Sequence, residues 1–480
     1  MTQIFLPILS AVLLILSSPG FDMWYLGFFG LLPLLFSLED KKYYFLKVAL
    51  FSLPYYYFSL FWINSSVSHF GGAPIFIGLL AVFGMALYMS AYIFIFFYLY
   101  KKTAKIVTIS AVFVIIEMLR GKLFTGFAWL NLGLIPYKAD IFTNIYSIFG
   151  EYGVSFIIVL FNLSLFKFIR TKKYKNIMPA LFVLLLVVTS SFFIKNSEYS
   201  KIVKLSIIQP GYRQEDKWLP EKRDEIKQTV ISLTKQALKN DSSIIVLPES
   251  VFPFFIQADN NTFNTINKFS YEKDILLGNI RYNDNLDYFN SAFLFSRGNF
   301  EYYDKIHLVP FGEYFPVKLI TAPISKYFFG DAKDFSSGKS LKIFNSKGVK
   351  ILPLICYESA FYEILFNAFK NDSPEIIAVL SNDSWFGNTT GRAQHLAIDI
   401  VRAKEFSRPV VRATQSGISA CISEDGKIKG KIDNNIEGIL TCDIKIINTR
   451  KSIFSQYGYL WFGIVSLFIL IMNIKKFKNS

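Results

Sequence analysis

The chain has 480 residues, of which 52% are hydrophobic and 18% aromatic, and its mean hydropathy is +0.36. A soluble protein of this length normally contains fewer apolar residues, so the composition excludes an ordinary soluble globular protein. The formal net charge of +15 does not indicate nucleic-acid binding, because the basic residues lie in short clusters between apolar segments and not on one folded domain.

Seven apolar segments fill the first 200 residues, and each has close to the ~20 residues that a helix needs to cross a bilayer. The sequence predicts spanning helices at residues 4–18, 23–38, 44–63, 74–99, 106–120, 142–167 and 178–194. An eighth apolar segment, 457–474, precedes a basic tail. The first segment is not predicted to be a cleaved signal peptide, because no positive charge precedes it and further spans follow at once.

The connecting loops predict the orientation of these segments. Lys and Arg residues follow the second, fourth and sixth segments, whereas the loops after the first and third carry none. Arg120, Lys122 and Lys138, after the fifth segment, are a modest exception. The positive-inside rule therefore places the N-terminus, the even-numbered loops and the basic tail in the cytoplasm, and residue 200 on the opposite side.

Residues 203–448 predict an α/β layered domain, because short apolar strands alternate with amphipathic helices. The predicted helices are residues 221–240 and 392–405. The predicted strands are residues 203–210, 243–247, 274–280, 289–295, 349–355, 376–380 and 409–413. The chain is thus predicted to divide into a seven-helix membrane domain (1–200), an α/β domain (203–448) and an eighth helix with a cytoplasmic tail (449–480).

Three ionisable residues in the α/β part have the chemistry of a nucleophilic site. Glu249 and Cys356 each follow a buried strand, and Lys305 lies among apolar residues. A carboxylate can take the thiol proton, and a nearby ammonium favours the thiolate and stabilises an oxyanion together with the backbone N–H that follows Cys356. Taken singly, a lone Cys is more often a buried hydrophobe and each charge a structural ion pair, and composition alone does not bring the three side chains together.

These residues resemble the three motifs of the nitrilase superfamily in order: Leu247-Pro248-Glu249, Lys305 and Ile355-Cys356-Tyr357-Glu358. More narrowly, essentially the whole chain resembles the apolipoprotein N-acyltransferase family. The stretches that carry this resemblance are Thr125-Gly126-Phe127-Ala128-Trp129, Lys305-Ile306-His307-Leu308-Val309-Pro310-Phe311-Gly312-Glu313, Ser381-Asn382-Asp383-Ser384-Trp385-Phe386-Gly387 and Thr414-Gln415-Ser416-Gly417-Ile418-Ser419. Ser384 departs from the family, in which alanine is frequent, and no loss of chemistry is expected from it.

The resemblance implies a polytopic α-helical membrane bundle joined to an extracytoplasmic, nitrilase-like αββα sandwich. It implies that Glu249 is the general base, Lys305 the oxyanion-stabilising amine and Cys356 the nucleophile. The other residues that it assigns to the site are Glu313, Tyr357 and Glu358, which support the nucleophile, and Trp218 and Trp385, which line the substrate path.

The implied reaction transfers an acyl chain from the sn-1 position of a membrane phospholipid, through a thioester on Cys356, to the α-amine of the diacylglyceryl-modified N-terminal Cys of an apolipoprotein. This is the last step of lipoprotein maturation. The resemblance implies no cofactor, no metal and no nucleic-acid partner. It further implies a monomer in the bacterial inner membrane, with the catalytic domain on the periplasmic side.

Two other functions fit parts of the sequence. One is a membrane-tethered amidase or nitrilase, and the other is a transporter or receptor whose extracytoplasmic domain only binds. Transport is disfavoured because Glu117, the clearest ionisable residue in the spans, lies near a predicted helix end. Three His residues are too few to suggest a metal site, and His307 is expected to pack or to form hydrogen bonds. Cys421 and Cys442 are expected to be core residues of strands, with no disulfide framework.

Overall fold

The computed structural model describes residues 2–103, 105–192, 199–316, 334–447 and 451–463. Residues 2–192 form a helical region, and residues 199–447 form an α/β region built on two sheets. The predicted eighth segment, 457–474, lies mostly outside the described residues, as does the basic tail.

Helices occupy all seven of the apolar segments predicted in the first 200 residues. The helical region contains α1 (Thr2–Ser17), α2 (Leu32–Ser37), α3 (Tyr44–Ser59), α4 (Trp62–Asn64), α5 (Ile75–Lys102), α6 (Ile106–Arg120), α7 (Thr143–Thr171) and α8 (Met178–Phe192). A 3₁₀ turn at Trp24–Phe28 precedes α2, and a π-helical turn at Ser65–Phe70 follows α4. Within the described residues, two helices are long and apolar enough to cross a membrane, Ile75–Lys102 and Asp140–Thr171. A third qualifies if Tyr44–Ser59 and Trp62–Phe70, bent by 46°, form one span.

The α/β region contains two six-stranded sheets of similar construction. The first has the strand order β12-β1-β2-β3-β4-β5, and the second has the order β11-β10-β9-β8-β7-β6. In each sheet three central strands pair in parallel (β1-β2-β3 and β7-β8-β9), and the flanking strands pair antiparallel. The strands are β1 (Tyr199–Gln209), β2 (Ile244–Val246), β3 (Asp274–Tyr282), β4 (Tyr288–Ser296), β5 (Asn299–Asp304), β6 (Phe344–Ser346), β7 (Val349–Ile355), β8 (Ile376–Ser381), β9 (Val410–Thr414), β10 (Ser419–Ile422), β11 (Ile428–Ile432) and β12 (Gly438–Ile447).

The two sheets pack face to face between two layers of helices, which is the predicted αββα arrangement. Leu276 of the first sheet and Leu380 of the second belong to the apolar core between the sheets. The outer face of the first sheet is covered by α9 (Arg223–Leu238) and α10 (Asn260–Phe269). The outer face of the second is covered by α11 (Tyr362–Asp372) and α12 (Gly391–Phe406), which share one core with the helical region. A short helix, α13 (Ile453–Tyr457), follows the α/β region.

Cys421 and Cys442 form a disulfide, so the expectation that neither cysteine is bridged was wrong. Both residues do lie in strands and are buried, as expected. Cys421 lies in β10 of the second sheet and Cys442 in β12 of the first, with 6.5 Å between their Cα atoms. The spacing along the chain does not reveal this pair, because the two strands come together only when the sheets stack.

Candidate active site

The candidate nucleophile Cys356 lies in a tight turn at the carboxyl end of a buried strand. Strand β7 ends at Ile355, and a 3₁₀ turn runs from Cys356 to Ala360. The backbone of Cys356 has a left-handed φ of 53°, which costs a residue other than glycine about 1–3 kcal/mol. Strain of this kind persists only where the surrounding structure holds it, as at the nucleophile turns of α/β-hydrolases. Among the described residues, Cys356 is the free thiol.

Glu249 lies directly after the short strand β2 and is held by two hydrogen bonds. The backbone N–H of Asn382 donates to Oε2 at 2.8 Å, and Asn290 Nδ2 donates to Oε1 at 2.7 Å. Strand β3 approaches Glu249 closely at Gly278, where a Cβ atom would lie 2.6 Å from the Glu249 Cα. The backbone position of this acid therefore depends on a glycine in the neighbouring strand.

Lys305 follows strand β5, and its buried side chain lies between two carboxylates. Its Nζ lies 3.0 and 2.9 Å from the two carboxylate oxygens of Glu313 and 3.9 Å from Oε1 of Glu249. Asn290 Nδ2 also donates to Glu313 Oε1 at 2.8 Å, so one amide links the two acids. The structure thus brings Glu249, Lys305 and Glu313 together, and we call them, with Asn290, the acid–lysine cluster.

The cluster and the thiol influence each other's protonation. Burial lowers the pKa of Lys305, but Glu313 and Glu249 outweigh this effect and hold the pKa above its usual value. Burial raises the pKa of the Cys356 thiol, Glu249 raises it further, and Lys305 opposes them without reversing the shift. The sequence predicted the opposite shift, toward the thiolate, from Lys305. In the folded chain the resting sulfur keeps its proton at neutral pH, so a base is required to form the thiolate.

Glu358 is fully buried and connects the turn at Cys356 to the segment that follows Lys305. Its Oε1 accepts hydrogen bonds from the Tyr303 hydroxyl at 2.8 Å and from the backbone N–H groups of Ile306 and His307 at 2.8 and 3.2 Å. Its Oε2 accepts the backbone N–H of Ile355 at 2.8 Å. Four donors therefore satisfy this carboxylate, which positions two parts of the site relative to each other.

Tyr357 faces the helical region. Its hydroxyl donates to the Gly126 carbonyl at 3.2 Å, and the rings of Phe127 and Trp129 lie 6.4 and 6.1 Å from its ring. Tyr357 thus contacts the stretch of the helical region, residues 125–129, that the sequence analysis singled out. A cavity of about 560 Å³ adjoins this contact. Its lining residues are Thr125, Ile306, His307, Leu308, Tyr314, Asp334, Phe335, Ser336 and Ser337.

The two tryptophans assigned to the substrate path lie outside the acid–lysine cluster. Trp385 is 38% exposed, and its ring packs edge-on against Phe70 of the helical region, with centroids 6.0 Å apart. Trp218 is 52% exposed and follows the buried Lys217, whose Nζ donates to Gln415 Oε1 at 2.8 Å. Burial lowers the pKa of Lys217 to about 7, although Glu249 opposes this shift.

Two groups at the site were not found from the sequence. Asn290, in strand β4, was missed, although a polar amide inside an otherwise apolar strand was the available signal. His395 was noted only as one of three histidines, yet its Nε2 lies 3.3 Å from the Cys356 carbonyl oxygen. Its Nδ1 lies 2.8 Å from Asp383 Oδ1, and Arg412 forms an ion pair with the same carboxylate. No signal in the sequence linked these three residues to Cys356.

The cluster has the chemistry of acyl transfer through a thiol. A buried carboxylate and a buried ammonium shift the pKa of one free thiol in opposite directions. Within the described residues, no group of three or more His, Cys, Asp or Glu side chains is arranged to hold a metal ion.

The chain is similar to known proteins over nearly its whole length. Residues 10–164 match the model of the apolipoprotein N-acyltransferase N-terminal domain, and residues 204–452 match that of carbon-nitrogen hydrolases. The apolipoprotein N-acyltransferase of Pasteurella multocida is 30% identical over 98% of this chain and 94% of the relative. That of Haemophilus influenzae is 31% identical over 97% of this chain and 93% of the relative. A CN-hydrolase superfamily protein from Xanthomonas campestris, of known crystal structure, is 19% identical with a TM-score of 0.40, and the match covers 51% of this chain and 91% of that one. This chain therefore belongs to the apolipoprotein N-acyltransferase family.

Proposed function

We propose that this protein transfers an acyl chain from the sn-1 position of a membrane phospholipid to the α-amine of the diacylglyceryl-modified N-terminal Cys of apolipoproteins. The family membership supports N-acylation of a lipoprotein. The single observation that carries the mechanism is the buried acid–lysine cluster, whose charges shift the pKa of the free Cys356 thiol. We assign the roles of base to Glu249, oxyanion stabiliser to Lys305 and nucleophile to Cys356.

The first half-reaction forms a thioester. Glu249 takes the proton from Cys356 Sγ, and the sulfur attacks the ester carbonyl carbon. The oxyanion is held by Lys305 Nζ and by the backbone N–H that follows Cys356. Collapse of the tetrahedral intermediate breaks the bond to the glycerol oxygen, which takes the proton from Glu249, and a lysophospholipid leaves. Glu313 keeps Lys305 charged and oriented during this step, because it pairs with the Nζ.

The second half-reaction uses the same groups in reverse. The acceptor amine attacks the thioester carbon and gives a proton to Glu249, and the C–S bond breaks as the sulfur recovers that proton. The N-acylated lipoprotein is the product. We retain Tyr357 and Glu358 as supporting residues beside the nucleophile, and Trp218 and Trp385 as residues of the substrate path.

We propose a three-part chain for this reaction: a seven-helix membrane domain (1–200), a catalytic domain (203–448) and an eighth helix with a basic tail (449–480). The protein would be a monomer in the bacterial inner membrane, with its catalytic domain in the periplasm. The long apolar helices support membrane insertion. The Cys421–Cys442 disulfide supports the periplasmic side, because disulfides persist in oxidising compartments and are rare in the cytosol.

Incubation of the purified protein with phospholipid alone tests the mechanism. Mass spectrometry should find one acyl group on Cys356 and a lysophospholipid in solution before any acceptor is added. Cys356→Ala should form no adduct, and Cys356→Ser should form little, because an alkoxide is much harder to generate than a thiolate. An adduct that requires the acceptor would contradict the two-step mechanism. Hydrolysis of small amides without acylation by phospholipid would point to the membrane-tethered amidase instead.

A further inference from the structure

Helix α12 is buried on its polar side as well as on its apolar side. The sequence predicts an amphipathic helix, and an exposed polar face would be usual. In the structure 15 of its residues are buried, because the helical region covers the face that the second sheet does not. The polar residues of α12 meet that region directly: Gln394 Oε1 accepts the Trp129 indole N–H at 2.8 Å, and Lys404 Nζ donates to the Tyr137 carbonyl at 2.7 Å.

Arg402, on this face of α12, holds the turn that carries Cys356. Its Nε donates to the Ser359 carbonyl at 2.8 Å, and its Nη2 donates to the Ala360 carbonyl at 2.9 Å. Both carbonyls belong to the 3₁₀ turn that begins at Cys356. The guanidinium is a planar fork of five donors, so contacts on one side fix its orientation on the other.

The other side of the Arg402 guanidinium is held by two buried acids. Nη2 donates to Glu151 Oε2 at 3.0 Å, and Nη1 forms an ion pair with Glu405. Glu405 lies one turn along α12, whereas Glu151 belongs to α7, one of the two long apolar helices. An acid in a long apolar helix thus pairs with an arginine that touches the nucleophile turn.

Glu151 is placed by a break in α7. Gly150 has a left-handed φ of 68°, and a Cβ atom there would clash with the ring of Phe454. The break frees two backbone N–H groups. That of Glu151 donates to Glu405 Oε1 at 2.6 Å, and that of Tyr152 donates to the Tyr459 hydroxyl at 3.3 Å. Groups outside the helical region therefore satisfy the broken helix, and the break points Glu151 at Arg402.

We propose that Arg402 and Glu151 are positioning residues that fix the Cys356 turn, so that the geometry of the thiol depends on an acid in the apolar helix α7. This inference rests on the proposed function of Cys356. The turn supplies both the sulfur and the backbone N–H that holds the oxyanion, and Arg402 binds the two carbonyls at its far end. Loss of the Glu151 carboxylate removes one of the two acids that orient the guanidinium. The turn then samples positions in which sulfur and N–H are no longer aligned.

The test compares Glu151→Gln with the intact full-length chain in detergent or vesicles. The measured quantity is the single-turnover rate constant for acylation of Cys356 by phospholipid, over a range of phospholipid concentrations. Displacement of a reacting group by about 1 Å can cost 10²-fold, so the maximal rate constant should fall by about 10–100-fold. The half-saturating phospholipid concentration should stay unchanged, and Glu151→Asp, which keeps the charge, should recover part of the rate.

Glu363→Gln is the matched control. Glu363 pairs with Lys122 of the helical region at 3.4 Å, but this ion pair is partly exposed and neither residue belongs to the Cys356 turn. The Glu363→Gln variant should keep the wild-type rate of acylation. A wild-type rate in Glu151→Gln, or a change confined to the half-saturating concentration, would overturn the inference. If Glu151→Gln does not fold, Arg402→Lys takes its place, because lysine keeps the charge but cannot hold both carbonyls, and a wild-type rate there would overturn it equally.

A second readout separates this inference from the proposed function. The rate at which iodoacetamide alkylates Cys356 reports the reactivity and accessibility of the thiol in the absence of lipid. If the wild-type chain formed no acyl adduct, the proposed function would fail, and the alkylation rates would still decide the inference. Equal alkylation rates in the wild type and in Glu151→Gln would contradict it, and a changed rate in Glu151→Gln with an unchanged one in Glu363→Gln would support it.

Discussion

Glu249 and Lys305 shift the pKa of the Cys356 thiol in opposite directions. Burial and the Glu249 carboxylate raise the pKa of the thiol, whereas the Lys305 ammonium lowers it. The balance leaves the resting sulfur protonated. A nucleophile held in this state is protected from oxidation and stray electrophiles, because the thiolate is the reactive form. Activation then depends on Glu249 at the moment when an ester is bound.

Substitutions of the acid and the amine should therefore move the thiol pKa in opposite directions. Glu249→Gln should lower the pKa of Cys356 because it removes a neighbouring negative charge, and Lys305→Met should raise it because it removes a positive one. Both should nevertheless reduce acyl transfer, by about 10²–10⁴ for the lost base and about 10²–10³ for the lost oxyanion donor. The pH dependence of Cys356 alkylation gives the pKa, and acylation by phospholipid gives the activity. Shifts of the same sign in the two variants would contradict this electrostatic picture.

His307 makes the stability of the site sensitive to acid. Burial and the neighbouring Lys305 lower its pKa from 6.5 to about 4, and its ring lies against Phe361 with centroids 3.6 Å apart. The folded chain thus binds this proton less tightly than the unfolded chain does. The stabilising contribution is complete above pH 6.5 and is lost as the pH falls from there to about 4.

His307→Phe should flatten this part of the pH profile, because phenylalanine keeps the ring contact but does not titrate. The measurement is the unfolding midpoint of both chains between pH 7 and pH 4, and the difference between them isolates His307 from the other acids that titrate there. Parallel profiles would show that the histidine contributes nothing to the acid sensitivity.

At the scale of elements, the strands that the sequence predicted are those whose apolar character is continuous. All seven predicted strands are present, and they include the parallel centres of both sheets. Of the five that were missed, four are the sheet edges, namely β5, β6, β11 and β12. Edge strands are half exposed and mix polar with apolar residues, so they lack the continuous apolar run that marks a buried strand. Only β12 pairs with a strand distant along the chain, β1, whereas β5, β6 and β11 pair with their neighbours in the sequence.

The residues of the candidate site also fall into two groups, those that lie in local sequence motifs and those that do not. Glu249, Lys305 and Cys356 lie in local motifs, so a resemblance to a family was enough to select them. Asn290 and His395 lie outside these motifs, and their roles arise only when β4 and α12 pack beside the motifs. The disulfide was missed for the same reason, since it joins two sheets and not two neighbouring strands.

The Cys421–Cys442 disulfide should stabilise the sandwich, because it links one sheet covalently to the other. Closing a loop between residues 21 apart restricts the unfolded chain, and the expected contribution is about 3 kcal/mol. Cys421→Ser/Cys442→Ser should lower the free energy of unfolding by about that amount. Denaturant unfolding with and without a reductant measures it, with Cys356→Ala as the control that keeps the disulfide. A wild-type chain whose stability does not respond to the reductant would argue against a bridged pair.

At the scale of the whole molecule, the loops of the helical region separate into two groups. The odd-numbered loops approach the α/β region: Ser66, after the third segment, donates to the Trp385 carbonyl at 2.9 Å, and Gly126, after the fifth, accepts the Tyr357 hydroxyl. The even-numbered loops contact each other, as in the ion pair between Glu39 and Arg170. Of the three basic residues that depart from the charge rule, Lys122 pairs with Glu363, Lys138 pairs with Asp22, and Arg120 is buried.

The orientation predicted from the basic residues is tested directly by reporter fusions. A periplasmic reporter should be active when fused after residue 200, and a cytoplasmic reporter should be active when fused at the C-terminus, beyond the predicted segment 457–474. A fusion after residue 173, in the basic loop between α7 and α8, serves as the control and should report the cytoplasm. An extracytoplasmic C-terminus would contradict the prediction that segment 457–474 crosses the membrane. A cytoplasmic residue 200 would leave the catalytic domain in a reducing compartment, and the Cys421–Cys442 disulfide would then have no oxidising environment in which to form.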